Sequence, residues 1–236
     1  MKYLFFLFAL TLAGQNLSAQ KKKYTPVDFE KEKSKDAFII DINNNNWMNT
    51  PKEMRVKNVS VGVNLSIMQQ LFDQNSNANI AIGVGINFEN IKNNSILKVN
   101  NNGVSYFDKI PNEFDYQTNK LNTTFIEVPL EVRILSNTFR NNRSIKLHLG
   151  IKGGYLIHSY VKYKGDDYRI GSTGEKVKFK EYQVKNLEPF RYGLYARFGF
   201  GKFSISGYSS LTNVFKKDKG PEVTAYSIGL TIIPFK

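Results

Sequence analysis

The stretch Thr124–Ile134 reads Thr-Phe-Ile-Glu-Val-Pro-Leu-Glu-Val-Arg-Ile. In an extended chain, alternate side chains point to opposite faces. Ile126, Val128, Leu130, Val132 and Ile134 therefore share one wall, while Glu127, Glu131 and Arg133 share the other. A helical period would scatter both sets around a cylinder. The pattern leaves two solutions. A soluble barrel or sandwich buries the apolar wall as its core. A membrane barrel turns that wall to lipid and fills its lumen with the charged one.

The two-walled pattern recurs along the chain. Eight strands are expected, at Asp36–Asn44, Val56–Met68, Ala78–Lys92, Lys120–Leu135, Ser144–Tyr163, Leu187–Phe200, Phe203–Thr212 and Glu222–Phe235. They are rich in Val, Ile, Phe, Tyr and Thr, which favour pleated surfaces. On the second, Val59, Val61, Val63, Leu65 and Ile67 oppose Ser60, Gly62, Asn64 and Ser66. On the fifth, Leu147, Leu149, Ile151, Tyr155 and Ile157 oppose Lys146, His148, Lys152 and His158. On the sixth, Phe190, Tyr192, Leu194 and Phe198 oppose Arg191, Tyr195 and Arg197. Pro129 lacks an N–H donor and requires a bulge or a gap in pairing.

Residues 1–19 have the parts of a cleaved signal peptide: Lys2, the apolar run Tyr3–Ala13, and the small residues Ser18 and Ala19 before the cut. Residues 20–35 form a Lys- and Glu-rich lead-in, read as flexible and periplasmic. The chain has no cysteine, which excludes disulfides, thiol nucleophiles and cysteine metal ligands. No later apolar run is long enough for a transmembrane helix. The formal charge of +13 suits acidic lipid head groups or nucleic acid. Export argues against nucleic acid.

Connection lengths sort by side. If the first strand runs outward, Asn45–Arg55, Asn93–Asn119, Lys164–Asn186 and Asn213–Pro221 lie outside the cell. Gln69–Asn77, Ser136–Arg143 and Gly201-Lys202 lie in the periplasm and are shorter on average. That asymmetry is typical of outer-membrane barrels. The reading is all-β: an eight-stranded antiparallel up-and-down transmembrane β-barrel over residues 36–236.

The inner wall would then hold Asp41, Glu89, Glu127 and Glu131 against Arg133, Lys146, Lys152, Arg191 and Arg197, with His148 among them. A barrel of eight strands is just wide enough for its own side chains, and buried charges need partners. These ten residues are read as a structural lumen network rather than an ion path. A simple Ser136–Arg143 turn would set Glu131 opposite His148 and Glu127 opposite Lys152, unless the register slips by two. No catalytic, cofactor or metal residue is assigned. His148 and His158 lack the spacing of a zinc motif, and Ser144 and Ser159 sit in no nucleophile elbow. Gly83-Val-Gly85 and Gly199-Phe-Gly201 precede no helix and are not phosphate loops. Tyr106, Phe107, Phe114 and Tyr168 are expected in outer loops, at an aromatic belt.

Four segments carry a family resemblance: Asn46-Trp-Met-Asn-Thr-Pro51, Phe125-Ile-Glu-Val-Pro-Leu-Glu-Val-Arg133, Leu187-Glu-Pro-Phe-Arg-Tyr-Gly-Leu194, and Ser209–Glu222. In this order they resemble the PorT-like outer-membrane β-barrel family of Bacteroidetes. The resemblance covers nearly all of the mature chain and implies a small barrel with no catalytic residues. Pro234-Phe235-Lys236 is similar to the terminal signal read by the barrel-assembly machinery. Expected partners are outer-membrane lipid, that machinery during insertion, and a protein of a secretion complex, since the family's namesake serves type IX secretion. No cofactor is expected. The expected role is structural, adhesive or accessory. The alternatives are a part of a secretion or uptake complex, a lipid-modifying barrel enzyme, or a soluble ligand-binding barrel.

Overall fold

The computed structural model describes residues 36–71, 78–136, 144–169 and 175–234. The expected signal peptide, the lead-in and the terminal Phe235-Lys236 lie outside the described residues.

Among the described residues eleven strands follow in order: β1 (Asp36–Met48), β2 (Val61–Gln70), β3 (Ala78–Lys92), β4 (Ser95–Val99), β5 (Ser105–Lys109), β6 (Tyr116–Leu135), β7 (Ile145–Asp166), β8 (Lys176–Tyr182), β9 (Phe190–Phe200), β10 (Phe203–Asn213) and β11 (Thr224–Ile232). Eight of them, β1, β2, β3, β6, β7, β9, β10 and β11, pair antiparallel in chain order, and β11 returns to β1. The sheet closes on itself as an up-and-down barrel, which leaves no sheet edge unpaired around the ring. One turn around the ladder runs Asp36, Gln69, Ile82, Leu130, Ile151, Leu194, Ser209, Tyr226, Asn46. It returns to β1 ten residues further on. At ~3.3 Å per residue and ~4.8 Å between strands, that shear tilts the strands by about 40°.

The apolar wall faces outward. Leu149, Ile151, Leu194, Ile205, Ile228 and Leu230 are all exposed, Ile228 by 61%. The lumen-facing Glu127, Glu131, Lys146 and Thr231 are at most 2% exposed. The soluble-barrel alternative needed the reverse. Outward aromatics gather near both ends of the belt: Tyr155 and Phe190, 4.8 Å apart, at one, and Phe200 and Phe203 at the other. Between Phe200 and Phe203 the chain turns through Gly201, whose φ of 62° is what a primed hairpin turn requires at its first position.

Three strands were not expected. β4 and β5 form a hairpin inside the Asn93–Asn119 connection, and β8 lies inside Lys164–Asn186, paired to the upper part of β7. Each is short and was hidden within a polar loop. Strand ends also move. β1 and β6 are longer than read, and β2 begins at Val61, because Val56 makes only an isolated bridge to Asn93.

The β6–β7 register differs by two from the simple-turn expectation. Arg133, not Glu131, lies opposite His148, and Pro129, not Glu127, lies opposite Lys152. The ladder ends with Ser136 N donating to Ile145 O. Pro129 does require a gap: the β3–β6 ladder passes from Ile82–Leu130 to Gly85–Glu127 without pairing it.

A further correction concerns His158. Phe125 pairs with Leu156 and Thr124 with His158, so Ile157 is an extra residue in a β-bulge. Above the bulge the wall assignment inverts. His158 is exposed on the outer wall, its ring 5.5 Å from Tyr160 and 5.8 Å from Tyr182.

Candidate functional site

The lumen is built in three layers. At the short-turn end Ile39, Met68, Ala81 and Ile233 form a small apolar plug. At the long-loop end Trp47, Met54, Ile91, Leu121, Leu187, Phe215, Val223 and Ala225 form a larger one. The charged residues lie between.

The upper plug is closed by loops. Phe107 of β5 reaches Trp47 of β1 and Phe215, with ring centroids 5.8 to 6.3 Å apart in three edge-to-face pairs. Asn186 fixes the hairpin from outside, donating from Nδ2 to Gly103 O and Ser105 Oγ, both at 2.9 Å. Ser105 N donates to Lys219 O. Three connections that are far apart in sequence thus interlock over the barrel mouth. Phe107, expected at an aromatic belt, instead faces this plug.

The middle layer has two hubs. In the upper hub Arg191 bridges Glu89 at 2.8 Å and Glu127 at 2.6 Å. Lys152 pairs with Glu127 at 2.9 Å, and Asn87 donates to both glutamates. The Arg191 guanidinium stacks 3.6 Å from the Phe125 ring, and Lys152 Nζ lies 4.1 Å from that of Tyr208. In the lower hub Arg197 bridges Asp41 at 2.9 Å and Glu131 at 2.7 Å. Thr231 Oγ1 and Asn64 Nδ2 donate to Asp41. Arg133, Tyr195 and His148 surround Glu131, the first two within hydrogen-bond distance and His148 Nδ1 at 3.4 Å.

All ten sequence-assigned residues lie on the inner wall. Nine enter the two hubs, and Lys146 is buried on the same face of β7, two residues from His148. Glu131–His148 and Glu127–Lys152 are diagonal contacts, which long side chains can span after a two-residue slip. Asn64, Asn87, Phe125, Tyr195, Tyr208 and Thr231 also line the hubs and are not among the ten. Their parity placed them on the inner wall, but a neutral polar or aromatic residue gives no charge to signal a partner.

The hubs leave little free space. A cavity of about 20 Å³ lies beside Asp41, Asn64, Ser66, Glu127 and Arg197, room for about one water. Among the described residues no group of three or more His, Cys, Asp or Glu could hold a metal ion. Ser159 Oγ accepts from Val184 N at 3.0 Å, and His158 is on the outer wall. The two histidines therefore lie on opposite faces, which removes the shared inner-wall site that motivated a lipid-modifying enzyme.

Residues 33–216 match the model of a family described as outer membrane protein beta-barrel domain. No curated protein matches the chain. The matched span ends before β11, the strand that joins β10 to β1 and closes the ring.

Proposed function

The chain belongs to the outer membrane protein beta-barrel domain family, and from that premise we propose a small outer-membrane barrel with a sealed lumen and a non-enzymatic, structural or accessory role. The observation that carries this reading is the filled interior. Two arginines each hold two carboxylates across the lumen, and an apolar plug lies beyond them at each end. An ion path would need a continuous polar route.

The expected location has two tests. Membrane fractionation with a heat-modifiability gel should give an outer-membrane band that shifts on boiling. N-terminal sequencing of the mature protein should begin near Gln20. Planar-bilayer recording should give no steady conductance, and open channels in the intact protein would overturn the sealed-lumen reading.

A second reading is favoured by one observation. Segments that carry the PorT-like resemblance meet at the loop end, where Trp47, Leu187 and Phe215 pack in one plug. A fixed, loop-built surface suits a protein partner better than mobile loops, since less entropy is lost on binding. On this reading the barrel is an accessory of a type IX secretion or uptake complex in a Bacteroidetes outer membrane. Deletion should then impair cargo secretion, and a partner should co-purify in mild detergent. Normal secretion with no co-purifying protein would count against it.

A further inference from the structure

Beyond the apolar belt, on its long-loop side, four lysines stand opposite one another across four strands. Lys92 of β3 pairs with Lys120 of β6, Lys120 with Lys162 of β7, and Lys162 with Lys180 of β8. One rung further, Lys164 faces Lys178. Above the Ile157 bulge, Val161 packs inward and Tyr163 is buried, so Lys162 and Lys164 project from the outer wall with their partners.

Like charges directly opposite in a sheet are destabilising. Among the described residues, none of the four lysines makes an ion pair with a carboxylate. Lys120 Nζ donates to Asn90 Oδ1 at 2.8 Å, and Lys180 Nζ lies 5.0 Å over the Tyr160 ring. Neither contact neutralises charge.

The row's height limits what can meet it. It lies four residues beyond Phe88 on β3 and five beyond Ile157 on β7. At the strand tilt, that is roughly 10 Å past the apolar wall, within or just above the interfacial layer. Lysine stems can lie along the wall and reach downward. His158, Tyr160 and Tyr182 cluster between belt and row, amphipathic rings at the depth where a bilayer interface favours them.

We propose that the Lys92–Lys120–Lys162–Lys180 row binds the phosphate groups of outer-leaflet lipid head groups. The inference rests on the outer-membrane reading above. The row lies on the wall that carries the lipid belt, so a head group meets it without displacing anything. A protein partner would have to dock sideways through lipid. Four strands at ~4.8 Å spacing make a row ~14 Å long, enough for two phosphates. Lysine meets phosphate as a flexible point charge and needs no bidentate geometry.

The test uses the full chain folded into phosphatidylcholine vesicles carrying lipid A, either phosphorylated or stripped of phosphate. Lipid retention is read by native mass spectrometry after extraction, and stability by the temperature of the heat-modifiable shift. Phosphorylated lipid A should be retained and should raise that temperature. The quadruple variant K92Q/K120Q/K162Q/K180Q should retain it on the order of 100-fold less, while four Lys→Arg changes keep it. Equal retention by wild type and the Gln variant would overturn the proposal. So would equal retention of stripped lipid A, equal stabilisation by inorganic phosphate, or tighter binding of a soluble acidic polypeptide. The double variant K92Q/K120Q serves if the quadruple one does not fold. A wild-type chain that never inserts into phosphatidylcholine would instead sink the outer-membrane reading.

Discussion

Arg197 touches two buried carboxylates at once, Asp41 and Glu131. A buried pair adds little net stability when complete, because desolvation offsets attraction. Removing one partner is different, since it strands a charge in a poor solvent. Arg197→Ala would strand Asp41 and leave Glu131 to Arg133, and is expected to destabilise the barrel by about 3–5 kcal/mol in urea titrations from vesicles. Arg133→Ala should cost clearly less, because Glu131 keeps Arg197 and the Tyr195 hydroxyl. Equal losses would mean that Arg197 does not act as a bridge.

Among the elements, the β4–β5 hairpin has the clearest measurable role. It brings Phe107 onto Trp47 and Phe215, and Trp47 is the only tryptophan in the chain. Its emission thus reports on the loop-built plug alone. Phe107→Ala removes two edge-to-face pairs, each worth about 0.5–1.5 kcal/mol beyond area burial. The expected result is a red-shifted Trp47 emission with the heat-modifiable band intact, because no barrel ladder includes Phe107. Sequence periodicity could not reveal this hairpin, since five-residue strands in an Asn-rich connection give too few alternations. The long strands were legible because each offers at least three apolar residues at period two, from Phe38, Ile40 and Ile42 on the first strand to the longer rows on β3, β6 and β9. Parity is also fragile. Tyr155-Leu156-Ile157 breaks the alternation with three apolar residues in a row, and that run was the signal of the bulge. Read straight through, it put His158 inside. The ion pairs outlived the two-residue register error because Glu127 and Lys152 are long enough to meet diagonally.

For the whole molecule, the question is what the outer wall is dissolved in. From alternation alone, a charge placed on the apolar wall harms a soluble barrel and a membrane barrel alike. The folded structure separates the two cases, because Leu194 and Ile151 are 51% and 55% exposed and do not fill a core. In water, arginine at such positions would change stability by no more than about 0.5 kcal/mol. In a bilayer the cost depends on depth: about 2–4 kcal/mol at the midplane and about 0–1 near an interface. Leu194 lies mid-strand in β9, while Phe203 opens β10 beside the Gly201 turn. Leu194→Arg should therefore destabilise the vesicle-inserted barrel by about 1–4 kcal/mol more than Phe203→Arg, the bilayer difference between the two depths. The same pair measured in detergent, whose micelle adapts around a charge, should differ less. A flat profile across Leu194, Ile151 and Phe203 in vesicles would mean that lipid does not contact this wall.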